Sequence, residues 1–289
     1  MRPDVVLERL SRVTPLGIRF VDQATGRDLS ESLVVEVYEP DHPERRVEAQ
    51  RNRSGRFFVT QLPGPRDAAS EFGDGGPEFW AGVRQRAFVI EVHDRRGQFQ
   101  PFTLEQRLPA QALAMPACLA AGSPPLDYVP LFSAPARIVP AGTAVIRAEL
   151  SARVTRPDGS TANIAAAWAV LAATVAGQST VRGIADREGR VAILTPYPEP
   201  VTTSARLSSP PFGSGTGLWD QEWPVRLEAF YEPQGPPPAV PDLCRTLAQA
   251  FTPLWTDVEA TRPVSGLVLQ YGRELSVPAL IVGPAGPPA

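Results

Sequence analysis

Proline sets the scale of what this chain can build. There are 33 prolines in 289 residues, about twice the usual share, and most stand singly between apolar runs. Inside a helix, proline removes a hydrogen bond and clashes with the preceding turn, so this spacing excludes long helices. Short strands joined by many loops tolerate it, because proline sits readily at strand ends, edges and turns. The hydrophobic share of 43% is that of an ordinary globular protein, and the length suffices for two domains with separate cores.

The apolar runs between prolines read as strands. "LGIRFV" (16–21) leads into the turn "DQATG". "LVVEVYEP" (33–40) alternates, with Val35, Val37 and Glu39 on one side and Val34, Glu36 and Tyr38 on the other. "NRSG" turns the chain into "RFFVTQL" (56–62). A long Gly- and Pro-rich loop covers 63–86, with Phe72, Phe79 and Trp80 as ring anchors or interface candidates. "AFVIEVHD" (87–94) and "FQPFTLEQRLP" (99–109) predict a hairpin. About six strands in roughly 95 residues is the spacing of a β-sandwich.

A second series follows the small, proline-broken linker 111–130. It contains "TAVIRAEL" (143–150), a predicted hairpin of "STVRGIAD" and "RVAILTPYP" around "DREG", and "WPVRLEAFYEP" (223–233). "ANIAAAWAVLAATVAG" (162–177) is ambiguous. Its alanines favour helix, but Ala166, Trp168, Val170 and Ala172 share one strand face, and it is read as strand. "PDLCRTLAQAFTPLW" predicts the main helix, with Leu243, Leu247, Phe251 and Leu254 as its apolar stripe and Pro241-Asp242 as its start. "SGLVLQYGRELSVPALIV" reads as a closing hairpin around Tyr271-Gly272-Arg273.

The expected fold is therefore all-β: two β-sandwich domains with Greek-key-type strands, plus a short C-terminal helix and hairpin. The expected segments are an N-terminal arm or short helix (1–15), a first sandwich (16–110), a linker (111–130), a second sandwich (131–233), a linker with helix and closing hairpin (234–283) and a flexible tail (284–289). "NRSGRFFVTQLPG" and "DREGRVAILTPYPEP" share one pattern of turn, Gly-Arg step and apolar strand. Gly26, Gly55, Gly189 and Gly272 are expected at turns that need a left-handed backbone.

"VDQATGRDL", "LVVEVYEP" and "NRSGRFFVTQLPG" together resemble the carboxypeptidase regulatory-like domains, also called transthyretin-like or Cna-B-like. The resemblance covers residues 16 to about 65 and implies a sandwich used as scaffold, linker or adhesion module. Some members close a Lys–Asn isopeptide bond, which this chain cannot form, since all 28 of its basic residues are arginine. "LFSAPARIVPAGTAVIRAEL" with "GIADREGRVAILTPYPEP" is similar to structural proteins of phage-tail-like contractile injection systems, which implies a part of a particle assembled in the cytoplasm.

A net charge of −3 gives no basic surface for nucleic acid. No apolar run approaches a membrane span, and the N-terminal stretch lacks a signal-peptide core, so the expectation is cytoplasmic synthesis, with release as part of a particle. Cys118 and Cys244 are read as ordinary thiols. The two histidines, His42 and His93, assemble no triad by spacing, and no catalytic, cofactor or metal residue is assigned. "EFGDGG" and "GSGTG" are read as flexible loops.

Trp80, Trp219 and Trp223 sit in or near predicted loops, as loop anchors, protein-interface anchors or sugar platforms. The function expected is a non-enzymatic structural protein that contacts other protein subunits through the N-terminal arm and the loops 63–86 and 196–222, with no nucleic acid and no membrane insertion. A carbohydrate- or surface-binding module is the alternative, and a hydrolase accessory domain the second.

Overall fold

The computed structural model describes residues 14–60, 62, 85–110, 113, 115, 117–120, 126–155, 160–176, 178–199, 218–233, 236–257 and 260–283. Among the described residues the chain is all-β apart from single helical turns. It divides into two units. Unit 1 comprises Met1–Val21, Asp28–Arg95 and Phe102–Pro130, and unit 2 comprises Asp22–Arg27, Arg96–Pro101 and Leu131–Ala289. Two short loops of the N-terminal half thus count with the second unit. So does all of 234–283, which supplies strands to both sheets there.

Unit 1 is built from β1 (Leu16–Ile18), β2 (Phe20–Asp22, whose last residue belongs to unit 2), β3 (Leu33–Glu39), β4 (His42–Glu48), β5 (Gln50–Arg51), β6 (Phe57–Val59), β7 (Arg86–Asp94) and β8 (Phe102–Leu108). One sheet has the order β1-β6-β5 and the other β4-β3-β7-β8. The predicted alternation holds. Val35 and Val37 on β3, Ile90 and Val92 on β7, and Phe102 and Leu104 on β8 are buried, as are Leu16, Ile18, Phe57 and Val59 of the other sheet. The predicted β7–β8 hairpin is present, paired from Arg86↔Leu108 to Val92↔Phe102. One helical turn, α1 (Ala117–Ala120), lies in the stretch read as a linker.

The last residue of β9 (Val129–Leu131) leads into unit 2, which contains β10 (Thr143–Thr155), β11 (Thr161–Ala165), β12 (Val170–Val175), β13 (Val181–Ile184), β14 (Arg190–Pro196), β15 (Glu222–Phe230), α2 (Leu243–Leu247), β16 (Phe251–Thr252), β17 (Leu254–Trp255), β18 (Leu267–Gln270) and β19 (Leu275–Val282). The β10 sheet runs β11-β10-β19-β17 with β14 also on β10, and the β15 sheet runs β13-β12-β15-β16 with β18 also on β15. Between them lies a core that includes Ile146, Leu150, Leu171, Ile193, Trp223, Leu269 and Leu280.

Four sequence expectations change here. The strand read over 162–177 is two strands, because the chain reverses at Trp168, which takes a left-handed φ of 62°. That conformation is costly for a bulky residue. It is clamped by Trp168 Nε1 donating to Pro238 O (3.1 Å) and Gln249 Nε2 donating to Trp168 O (2.8 Å). The two predicted C-terminal hairpins are sheet-to-sheet crossings: β13 pairs with β12 while β14 pairs with β10, and β18 pairs with β15 while β19 runs parallel to β10. The helix stops after five residues. Asp242 caps it as expected, accepting from Arg245 N at 2.7 Å, but Phe251 and Leu254 fall on strands β16 and β17. Finally, neither cysteine is a free thiol; Cys118 and Cys244 are both disulfide-bonded.

The repeated turn pattern is real at the level of hydrogen bonds. In the first copy Gly55 N donates to Asn52 O and Arg56 N to Asn52 Oδ1; in the second Gly189 N donates to Asp186 O and Arg190 N to Asp186 Oδ1. The side chain at the head of each turn thus holds the Gly-Arg step. The strands around the first turn pair with each other as β5 and β6, whereas those around the second enter different sheets. All four predicted turn glycines have positive φ. Gly189 has a further constraint: a Cβ there would run into the carbonyl oxygen of Leu150, whose own N–H bonds Gly189 O at 2.8 Å.

Unit 2 is pinned by a buried ion pair. Arg137 donates from NH1 to Asp22 Oδ1 (2.8 Å) and Ser133 Oγ (2.9 Å), and from NH2 to Asp22 Oδ2 (2.6 Å). Both side chains are only 6% exposed. The guanidinium lies over Phe99, 4.5 Å from its centroid, and Arg137 O accepts from Arg147 NH2 at 3.1 Å. Burial pushes the Asp22 carboxyl up. The hydrogen bonds from Arg137 and Thr25, the Arg137 charge and the Ala24 N–H outweigh it and hold Asp22 below the usual aspartate value.

Two predictions follow from these features. Gly189→Ala should cost about 2–4 kcal/mol in urea denaturation, combining a left-handed φ with a backbone clash, while Gly26→Ala, whose Cβ meets nothing within 4 Å, should cost about 1 kcal/mol. Arg137→Met should cost about 3–5 kcal/mol, since it leaves the Asp22 charge buried and unpaired. Because the folded pKa of Asp22 is depressed, its contribution is complete above about pH 4 and is lost as pH falls through the folded value. Denaturation between about pH 5 and pH 2 should show that slope in the wild type.

Candidate interaction surface

Aromatic rings in unit 2 form a ladder from core to surface. Trp223 on β15 is 1% exposed. Tyr197 contacts it at a centroid distance of 5.7 Å, Tyr271 contacts Tyr197 at 4.7 Å, and Trp219 meets Tyr271 edge-on at 5.5 Å. Trp219 ends the ladder 74% exposed, on a single 3₁₀ turn, Leu218–Asp220, just before β15.

The fixing of Trp219 depends on Gly272. Gly272 sits at φ 71° in the turn between β18 and β19, and a Cβ built on it would come within 2.6 Å of the Trp219 ring. Its N–H donates to Tyr197 Oη at 3.0 Å. An indole held this way has little rotamer freedom left to lose on binding. Beside this turn, Gln270 Nε2 donates to Glu222 Oε1 (2.6 Å) and Arg273 NH1 donates to Gln270 Oε1 (2.9 Å), a polar rim already ordered by its own bonds.

The structure sorts the sequence-predicted candidates. Trp219 is a surface residue. Trp223 is a core residue rather than part of a surface, and its buried Nε1–H finds no acceptor among the described residues. Phe72, Phe79 and Trp80 lie outside the described residues, as do the N-terminal arm to residue 13 and most of the loops 63–86 and 196–222. Among the described residues, the large apolar side chains left exposed are Ile138, Ile164, Trp219, Phe251 and Val268, and all five belong to unit 2. Phe251 was read as part of a buried helical stripe. On β16 it is instead 62% exposed and packs edge-on against Phe230 at 6.1 Å.

Unit 1 carries a titratable cluster of which sequence spacing could show only one pair. Glu91, on the outer face of β7, accepts from His93 Nε2 (2.6 Å), Tyr38 Oη (3.0 Å) and Arg46 NH1 (3.0 Å). Arg46 also donates to Glu36 at 2.9 Å and lies over the Tyr38 ring at 4.6 Å. The signal was the i, i+2 spacing of Glu91 and His93, which puts both on one strand face, whereas Asp94 points away. Burial pushes the Glu91 carboxyl up, but the bonds from His93 and Tyr38 and the Arg46 charge bring it below the usual glutamate value. Each member bonds another member, the geometry of a packed polar face.

Among the described residues, no group of three or more His, Cys, Asp or Glu side chains is placed to hold a metal ion, and no helix is long and apolar enough to cross a membrane. In comparisons with known proteins, no family model matches the chain, and no curated protein matches it.

Gly272→Ala should displace the Trp219 ring and change the near-UV circular dichroism of the stacked aromatics. Trp219→Ala should change stability by about 0.5 kcal/mol or less, because the ring is mostly in solvent; thermal denaturation of both variants checks this.

Proposed function

We propose that this protein is a non-enzymatic structural component that docks on other protein subunits of an assembly through unit 2, with Trp219 as the central anchor. The observation that carries the reading is that every large exposed apolar side chain among the described residues lies in unit 2, and that the largest of them is held in place. Binding hot spots are enriched in Trp, Tyr and Arg and are surrounded by contacts that exclude water. Trp219 with Tyr271 and Arg273 supplies those residue types. The resemblance to contractile injection system proteins supports a phage-tail-like particle as the setting, and the resemblance of residues 16–65 to carboxypeptidase regulatory-like domains supports a scaffold role for unit 1.

The test is sedimentation of particles from cells producing the wild type or Trp219→Ala. The wild type should co-sediment at fixed stoichiometry with tube, sheath or baseplate subunits. The variant, folded as judged by circular dichroism, should lose about 2 kcal/mol of binding or more, roughly a thirtyfold drop in occupancy at limiting concentration. Unchanged co-sedimentation of the variant would sink the reading. If instead the wild type is retarded in gels cast with soluble β-glucan and Trp219→Ala is not, the indole is a sugar platform and the protein a carbohydrate-binding module.

A further inference from the structure

We propose that a groove on the outer face of the β10 sheet in unit 2 binds an extended, proline-flanked peptide carrying one basic side chain. The groove has a volume of about 600 Å³, and none of its lining residues belongs to the aromatic ladder that ends in Trp219. Its floor crosses three neighbouring strands, with Arg190 on β14, Glu149 on β10 and Ser276 on β19. At about 4.8 Å between strands, that floor is about 10 Å wide, the length of about three extended residues.

The sheet face explains why the groove is where it is. Cross-strand partners Val145 and Leu194 are covered by Ala24 and Val139. Two residues further along β10, Arg147 lies opposite Ala192, which is still buried under that cover; four residues further, Glu149 lies opposite Arg190, beyond it, and the floor opens there. Phe99, Pro101 and Pro135 form the wall. Phe99 is stacked on Arg137, and Arg147 is tied to the Arg137 carbonyl, so the buried Asp22–Arg137 pair fixes wall and floor together. A preformed apolar wall favours proline, which loses little conformational freedom on binding.

Charge selects the remaining feature of the ligand. Arg147 is engaged by Glu274 at 3.1 Å, and Arg190 by Asp186 at 2.8 Å and Glu188 at 3.1 Å. Glu149, an exposed floor residue, makes no ion pair or side-chain hydrogen bond among the described residues. The lining itself holds two arginines and two carboxylates, and of these four Glu149 alone has no ion-pair partner among the described residues, so the uncompensated charge on the floor is negative. A guanidinium or ammonium on the ligand complements that field, and a carboxylate opposes it.

The experiment is fluorescence anisotropy of the full chain with fluorescein-labelled Gly-Pro-Arg-Pro-Gly and its counterpart with Glu in place of Arg. The Arg peptide should bind about threefold to tenfold more tightly, with the difference shrinking at high salt. Glu149→Gln should weaken the Arg peptide about threefold. Ser276→Trp, a substitution at an exposed position, should fill the floor and abolish binding of a protein that remains folded by circular dichroism. Trp219→Ala should bind as the wild type does. Equal binding of the two peptides, no binding of either at about 1 mM, or unaltered binding by folded Ser276→Trp each overturns the proposal. Loss of peptide binding in Trp219→Ala overturns it as well, by moving the peptide to the other surface.

Discussion

The buried pair of Asp22 and Arg137 is the constraint on which the outer layer of unit 2 depends. A carboxylate and a guanidinium removed from water are stable together only when nearly every lone pair and N–H finds a partner. Here Asp22 accepts from Arg137, Thr25 and Ala24, and Arg137 also reaches Ser133 and Phe99. The pair therefore joins three segments far apart in sequence, 22–27, 96–101 and 131–137. The cover over Val145, Leu194 and Ala192 ends within the β10 sheet, with Arg147 half-buried at its margin and Glu149 exposed beyond it. An apolar replacement of both partners would keep the cover but lose the directional bonds that set where it ends.

The same contrast between local and distant partners explains what the sequence could show. The turns at Asn52–Arg56 and Asp186–Arg190 are local: an Asn or Asp side chain, two intervening residues, a glycine and an arginine suffice to write their hydrogen bonds. Which strand lies beside β14 is decided elsewhere, by the 13 residues of β10, which are long enough to take β14 on their first half and β11 on their second. An arch between sheets and a hairpin within one can carry the same turn. Alternation in Val35–Val37 and Ile90–Val92 was legible because burial on one sheet face imposes period two. The short helix was misread for a related reason. Leu243, Leu247, Phe251 and Leu254 have helical spacing, but β15 offers Phe251 a strand partner in Phe230, and five helical residues cannot outweigh that pairing.

Among the surface residues, Trp219 and Trp223 show the limit most clearly. They lie four positions apart, and composition treats them alike. The onset of β15 separates them: Trp223 falls on its inward face, while Trp219 precedes the strand on a turn. The contact that holds Trp219 comes from Gly272, whose need for left-handed φ was legible but whose proximity to an indole was not. The Glu91–His93 pair was visible as a spacing, but its partners Tyr38 and Arg46 come from β3 and β4, and only sheet register brings them over Glu91.

The two units manage their surfaces in opposite ways. On unit 1 the edge strand β4 is charged over most of its length, "HPERRVE", and the central Glu91 is neutralised by neighbours on its own sheet face. Charged edges discourage pairing with other chains, and a closed polar network has no free valence to offer. On unit 2 the edge strand β11, "TANIA", carries no charge and exposes Ile164, the Trp219 indole is held outward, and the groove keeps one carboxylate without an ion-pair partner among the described residues. Exposed apolar side chains cost solvation in the free protein, and an uncharged edge invites association. Among the described residues these features are concentrated on unit 2, which is the distribution that the proposed docking through unit 2 requires.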